Sequence, residues 1–181
     1  MSNIELIEGS SIEQKVDVIV NAANKYLLSG GGVCGAIFKA AGYQELGDAC
    51  KKIKTPLNDG DAVITPSFNI KTCKYIIHAV GPDFGVNPTA FDKLFNAYYN
   101  SLKLLKENEL HSISFPLISS GIFGGGLVNP AAESARECLR AYNRFVEENP
   151  QYEIYVRLCA YSSNEYEQAE KEIKWFLFCM L

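Results

Sequence analysis

The sequence predicts a three-layer α/β/α fold, in which helices cover both faces of a largely parallel sheet. Segments typical of strands alternate with segments typical of helices along the 181 residues, which is the pattern of parallel strands joined by crossover helices. Several strand segments are almost wholly apolar, as in "VDVIV" at residues 16–20, and such strands are buried on both faces. Two Asn-Pro pairs precede stretches whose apolar residues recur at helical spacing.

The predicted strands are short, rich in β-branched or aromatic residues, and bounded by polar turns. In chain order they are Asn3–Glu8 and residues 16–20, 61–67, 74–80, 112–118 and 152–161. No linker, repeat or low-complexity tract separates them, so we expect residues 1–181 to form one domain. A chain of this length is able to bury a substantial core.

The helical segments lie between these strands and after the last one. Residues 35–53 are predicted to be helical, with a break near Gly42. Residues 91–105 form an amphipathic pattern, and the preceding Asn87-Pro88 predicts an N-cap followed by the first helical position. Asn129-Pro130 repeats this signal before another helix. In a final helix, we expect four residues to face inward: Tyr166, Ala169, Ile173 and Leu177.

Bulk properties indicate an ordinary globular protein without an extended charged surface. The chain is 48% hydrophobic and 21% charged, with a net charge of −4 and interspersed signs, so we expect no general nucleic-acid binding. The first residues have neither a basic nor a long apolar segment, so no signal peptide is predicted. The longest apolar run, "WFLFCML", is far shorter than the about 20 residues that cross a bilayer. We therefore expect a cytoplasmic protein with no membrane contact.

The cysteines and histidines do not have the spacing of a metal site. Six cysteines are scattered without a C-x-x-C pair, and there are two histidines, His78 and His111. This arrangement argues against a zinc site and against a disulfide framework. We expect the cysteines other than Cys34 to be small buried hydrophobic residues, and His78 to be a hydrogen-bonded core residue.

Two glycine-rich loops follow predicted strands and precede predicted helices. One contains "SGGGVCG" at residues 29–35 and the other "SSGIFGGG" at residues 119–126. Ligands of such sheets bind at the carboxyl ends of the strands, where helix N-termini favour anions. Two loops of this kind at one crevice suit two adjacent phosphates.

Two common phosphate-binding signatures are excluded as explanations of these loops. "GGGVCG" at residues 30–35 satisfies G-x-G-x-x-G, but nine residues separate it from the strand, and no acidic residue follows at the spacing that binds ribose. No G-K-S or G-K-T triplet of a P-loop is present. Instead, Asn21 and Asn24 lie just past the predicted strand end, and their amides can donate and accept hydrogen bonds.

Nearly the whole chain resembles the macro domain, the ADP-ribose-binding module. The motifs occur in the family order: "VDVIVNAAN", "GGGVCGAIFKAAG", "GDAVITPSFNI", "YIIHAVGP" and "ISFPLISSGIFGGG". The resemblance implies a mixed, largely parallel sheet, and it is closest to the MacroD-type hydrolases. Those enzymes remove ADP-ribose from proteins and deacetylate O-acetyl-ADP-ribose.

The resemblance also implies a role for each matching residue. Asn24 corresponds to the asparagine that contacts the distal ribose and helps to place the attacking water. The base end of the site corresponds to Ser10 and Ser11 together with Tyr161, an aromatic position that flanks adenine. Two loops hold the diphosphate, the first through Gly31, Gly32 and Val33 and the second through Ser119, Ser120, Gly121, Ile122 and Phe123, with Phe123 near the distal ribose.

Three positions depart from the family pattern. Ser10 replaces an aspartate that accepts a hydrogen bond from the adenine amino group, and a hydroxyl is weaker there by roughly 1 kcal/mol. Cys34 replaces an aspartate implicated in activating water, and Phe38 replaces a common histidine. Cys34 is either a nucleophile or redox group activated at a helix N-terminus, or a small residue that replaces the acid without chemistry of its own.

The sequence therefore predicts a monomeric protein that binds ADP-ribose or ADP-ribosylated protein and hydrolyses ADP-ribosyl esters, without a cofactor or metal. Asn24 cannot act as a general base, so we expect a substrate phosphate to accept the proton of the water. Loss of the acid at position 34 favours an alternative, a non-catalytic reader of ADP-ribose or a related nucleotide metabolite. Because Ser10 replaces the aspartate that contacts adenine, a third interpretation stays open, in which the same fold binds a different ligand.

Overall fold

Residues 1–179, which the computed structural model describes, contain one six-stranded mixed sheet. Its strands are β1 (Asn3–Glu8), β2 (Val18–Ala22), β3 (Ala62–Pro66), β4 (Tyr75–Ala79), β5 (Ser112–Pro116) and β6 (Tyr155–Ala160). Their order in the sheet is β1-β6-β5-β2-β4-β3. The pair β3–β4 is antiparallel, and the other pairs are parallel. The predicted fold class is confirmed.

Five helices cover the sheet within the same residues, which gives the three predicted layers. They are α1 (Gly32–Ala41), α2 (Tyr43–Lys51), α3 (Phe91–Glu107), α4 (Pro130–Glu148) and α5 (Ser163–Cys179). The helices cover both faces of the sheet, as the side chains of β2 show, because successive side chains of a strand point to opposite faces. Ile19 packs in a core with α1 and α2, whereas Val18 and Val20 pack in a second core with α3, α4 and α5. The predicted break at Gly42 separates α1 from α2 and is confirmed, since the Gly42 N–H closes α1 on the Phe38 carbonyl at 3.0 Å.

Four predictions about local structure are wrong. Helix α3 begins at Phe91 rather than at Pro88, because a turn precedes it. In this turn the Asn87 carbonyl accepts from the Ala90 N–H at 3.3 Å, and the Asn87 side-chain oxygen accepts from the Thr89 hydroxyl at 3.4 Å. Leu177, predicted to face inward, is 54% exposed, because the last turn of α5 extends past the core. Cys179, predicted to be buried, lies in the same turn and is exposed for the same reason. Asn21 lies inside β2, where it pairs with His78, instead of following the strand.

The parallel strands β1, β6, β5 and β2 end at the same edge of the sheet. The segments that follow these ends are residues 9–10, 161–162, 117–129 and 23–31. They carry both glycine-rich loops, so the fold brings the predicted site residues to one place. No helix among residues 1–179 is both long enough and apolar enough to cross a membrane.

Candidate functional site

A cavity of about 720 Å³ lies at the carboxyl ends of the four adjacent parallel strands. Every residue that the sequence predicts to bind ligand or take part in catalysis lines it: Ser10, Ser11, Asn24, Gly31, Gly32, Val33, Cys34, Ser119, Ser120, Gly121, Ile122, Phe123 and Tyr161. This volume is in the range of pockets that enclose nucleotide-sized ligands. The placement is observed, whereas the binding and catalytic roles of these residues stay predictions.

The first glycine loop presents the N-terminus of α1 to the cavity. The N–H groups of a first helical turn have no partner within the helix, and the helix dipole favours an anion beside them. Gly32, with φ of 59°, makes the turn into the helix in a conformation that favours glycine. A Cβ at Gly35 would lie 2.5 Å from the Gly30 carbonyl oxygen, so the close packing of the loop on α1 also requires glycine.

The second loop offers backbone groups, because its serine hydroxyls already have partners. The Ser119 hydroxyl donates to the Pro82 carbonyl at 2.7 Å, and the Ser120 hydroxyl donates to the Leu117 carbonyl at 2.7 Å. Each hydroxyl proton is thus used within the protein. At the rim, Ile122 is almost fully exposed and Phe123 is partly exposed, and both line the cavity.

A ring of buried hydrogen bonds holds the start of this second loop. The Ser134 hydroxyl donates to the Ile118 carbonyl at 2.6 Å, so the 2.6 Å contact between the Tyr98 and Ser134 hydroxyls uses the Tyr98 proton. The Tyr98 oxygen in turn accepts from the Ile118 N–H at 2.9 Å. Both polar backbone groups of Ile118 are therefore tied to α3 and α4.

Asn24 is committed largely to its own loop. Its side-chain oxygen accepts from the N–H groups of Tyr26 and Leu28, each at 3.1 Å, and its amide nitrogen donates to the Leu28 carbonyl at 2.7 Å. An amide side chain has two N–H donors and two acceptor lone pairs. One N–H therefore remains for a ligand or a water in the cavity, and it can only donate.

Cys34 is buried beside Asn24 in an environment that disfavours the thiolate. Burial raises the pKa of the Cys34 thiol, against smaller lowering effects from the Asn21 side chain and the Gly30 backbone. The thiol donates to the Leu28 carbonyl at 3.5 Å, and the Asn21 amide lies 3.8 Å from the sulfur. This environment favours the interpretation of Cys34 as a small replacement residue over an activated nucleophile.

His78 is the core histidine that the sequence predicts. Its Nδ1 lies 3.1 Å from the Asn21 amide nitrogen, and its Nε2 lies 2.9 Å from the Thr65 hydroxyl oxygen. Nδ1 accepts from Asn21, so Nε2 carries the proton of a neutral ring. Burial lowers the pKa of His78 to about 4. Asn21 therefore acts in the core, because it supports the histidine ring and does not line the cavity.

Known proteins are similar to this chain in both sequence and fold. The family model named Macro domain matches residues 20–136. An O-acetyl-ADP-ribose deacetylase of Salmonella typhimurium is 41% identical over 149 residues, which cover 80% of each chain. The structure of the Oceanobacillus iheyensis macrodomain with ADP has a TM-score of 0.87 and 36% identity, over 97% of this chain and 92% of that one.

The chain belongs to the macro domain family. The Trypanosoma brucei macrodomain in complex with ADP-ribose provides a further comparison, with a TM-score of 0.80 and 31% identity over 94% of this chain and 68% of that one. The macro domain fold thus extends over nearly all of the residues described here.

Sequence reasoning missed several residues that shape the site of this macro domain. Cys159, on β6, and Glu165, in the first turn of α5, line the cavity at its Ser10 end. The sequence contains a signal for Glu165, because Ser162 and Glu165 have the S-x-x-E spacing of a capping box. Nothing in the sequence indicates that Tyr98 and Ser134 meet Ile118, since 36 residues separate the first two.

Proposed function

We propose that this macro domain binds ADP-ribose with its diphosphate between the two glycine loops. The observation that carries the proposal is that both loops line one cavity of about 720 Å³. The distal ribose then lies toward Asn24 and the adenine toward Ser10, Ser11 and Tyr161. The ADP and ADP-ribose named for the two neighbouring structures support this choice of ligand.

The proposed reaction is hydrolysis of ADP-ribosyl esters, on mono-ADP-ribosylated protein or on O-acetyl-ADP-ribose. The name of the Salmonella relative supports this reaction class. Hydrolysis needs a positioned water, an acceptor for its proton and stabilisation of the leaving group. The one uncommitted N–H of Asn24 positions the water or the ribose hydroxyl beside it.

A phosphate of the substrate is the proposed proton acceptor. Among the described residues that line the cavity, Glu165 is the only carboxylate. It follows β6, which is separated from β2 and Asn24 by β5, so about 10 Å of sheet width lies between the two strands. Cys34, which is close to Asn24, has a raised pKa and is a poor base at neutral pH. The diphosphate held between the loops is left as the nearest base.

The alternative is a reader that binds ADP-ribose without cleaving it, which Cys34 in place of the family's acid favours. Calorimetric titration with ADP-ribose, together with incubation on a protein mono-ADP-ribosylated at glutamate, separates the two. Binding with release of free ADP-ribose supports the hydrolase. Binding without release supports the reader, and neither binding nor release supports a different ligand.

We also propose that residues 1–181 act as a single monomeric domain in the cytoplasm. Cys34, Cys50, Cys73, Cys138 and Cys159 are all buried and free, which is typical of proteins from reducing compartments. Size-exclusion chromatography with light scattering tests the monomer.

A further inference from the structure

Glu165 is the only charged side chain among the described residues that line the cavity. It lies in the first turn of α5, and β6 directly precedes that helix. Ala160, the last residue of β6, stands opposite Glu8 of β1 and accepts from the Gly9 N–H at 2.9 Å. Ser10 and Glu165 thus follow neighbouring strand ends, at the same end of the cavity.

The carboxylate of Glu165 is held in place by one of its oxygens. Oε2 accepts from the Ser162 N–H at 3.0 Å and from the Ser162 hydroxyl at 3.1 Å, while the Ser162 oxygen accepts from the Glu165 N–H at 3.3 Å. This reciprocal pair is a capping box. Within residues 1–179, Oε1 has no hydrogen-bond partner. Because the cap fixes the side chain, binding through Oε1 costs little rotamer freedom.

The other polar groups at this end of the cavity are hydroxyls. Ser10 makes no side-chain cap hydrogen bond, and the Ser11 hydroxyl is buried without a partner among the described residues. A hydroxyl donates or accepts, so it does not distinguish an amino group from a keto group on a base. A carboxylate only accepts, so Glu165 requires a donor from the ligand. The ring of Tyr161, 81% exposed at the rim, offers a stacking surface beside it.

We propose that Glu165 determines the base specificity of the site: its Oε1 accepts a hydrogen bond from the exocyclic amino group of adenine. It thereby supplies the acceptor that Ser10 lacks. This inference rests on the proposed binding of ADP-ribose and concerns the base end alone.

A double-mutant cycle between the protein and the ligand tests this pairing. Calorimetry compares ADP-ribose with an analogue that has hydrogen in place of the adenine amino group, on the wild-type chain and on Glu165→Gln. We expect the wild-type chain to bind the analogue at least about tenfold more weakly, as for loss of a hydrogen bond to a charged group. In Glu165→Gln, the Ser162 N–H still needs an oxygen, so the amide NH₂ turns to the cavity and opposes the adenine amino group. We expect that variant to lose the preference for ADP-ribose.

Two further variants separate base recognition from helix capping. Glu167→Gln changes an exposed glutamate on the same helix and is expected to keep the wild-type preference. Ser162→Ala removes the capping hydroxyl but keeps the carboxylate and the backbone donor, so it is also expected to keep the preference, with a lower melting temperature.

Equal affinity of the wild-type chain for the two ligands overturns the role of Glu165 while leaving ADP-ribose binding intact. This arm needs no variant and therefore does not depend on whether Glu165→Gln folds. An unchanged preference in a folded Glu165→Gln also overturns it. Failure of the wild-type chain to bind either ligand overturns the proposed function as well.

Discussion

The Tyr98 hydroxyl is one of two buried hydroxyls that hold the start of the second glycine loop, and Tyr98→Phe removes it with little change in shape. Tyr98 is fully buried, and its oxygen is the acceptor for the Ile118 N–H. Phenylalanine leaves that N–H without a partner at a residue that is itself buried, which costs about 1–3 kcal/mol. The donated bond to Ser134 is lost as well, at about 1 kcal/mol. We expect the free energy of unfolding to fall by about 3 kcal/mol.

Chemical denaturation of the wild-type chain and the variant measures this loss. For a chain of this length, about 3 kcal/mol corresponds to a melting temperature lower by about 6–12 °C. Tyr99→Phe is the matched control at the next position, because the Tyr99 hydroxyl donates to Glu148 at the surface. We expect that control to cost less than about 1 kcal/mol. We also expect Tyr98→Phe to weaken ADP-ribose binding, since Ile118 leads directly into the loop.

A loss below about 1 kcal/mol in Tyr98→Phe would refute the closed hydrogen-bond ring. Equal losses of unfolding free energy in Tyr98→Phe and Tyr99→Phe would show that burial of the Tyr98 hydroxyl does not increase its contribution to stability. An unchanged affinity for ADP-ribose, with the expected loss of stability, would show that these hydrogen bonds stabilise the fold but do not contribute to ligand binding.

Three further predictions concern the other side of the cavity and the core. Asn24→Ala removes three loop hydrogen bonds and the one free donor, so we expect ester hydrolysis to slow by about a hundredfold; undiminished hydrolysis would eliminate its assigned role. Cys34→Ser is expected to change turnover less than about twofold. A thiol reagent at neutral pH is expected to label exposed Cys179 well before Cys34. Rapid loss of activity through labelling of Cys34 would contradict its interpretation as a small replacement residue. His78 stays neutral in the folded chain down to about pH 4, whereas the unfolded chain binds its proton near pH 6.5. Stability is therefore lost as the pH falls, by about 2 kcal/mol between pH 7 and pH 5, and denaturant titrations of His78→Gln should lack this component.

The fold was predictable because its signals are local and agree with one another. The order of the apolar strand segments and the glycine loops predicts the sheet and the edge at which a ligand binds. The individual residues that line the cavity are identified through the resemblance to macro domains. The sequence mispredicts the start of α3 because an Asn-Pro pair suits a turn as well as a helix cap, and here the Asn87 carbonyl accepts from the Ala90 N–H at 3.3 Å and so closes a turn.

The remaining features depend on contacts between distant residues. The hydrogen bonds among Tyr98, Ile118 and Ser134 form only when α3 and α4 pack on β5. The periodicity of the sequence does not predict these contacts. The hydrogen bonds of the Asn24 side chain within its own loop are also not predictable from the sequence. The family resemblance implies that Asn24 contacts the ligand, but it does not indicate which of the hydrogen-bonding groups of Asn24 is free. Glu165 carries a local capping signal, yet its position in the cavity follows from the pairing of β1 with β6.

The time course of O-acetyl-ADP-ribose hydrolysis, with product counted per protein molecule, decides whether this macro domain is a hydrolase. The wild-type chain is predicted to release many equivalents of ADP-ribose at a rate well above the protein-free reaction, and Asn24→Ala to release far less while remaining folded. Tight binding of ADP-ribose by the wild-type chain with no release above the protein-free rate would contradict the hydrolase and leave a reader.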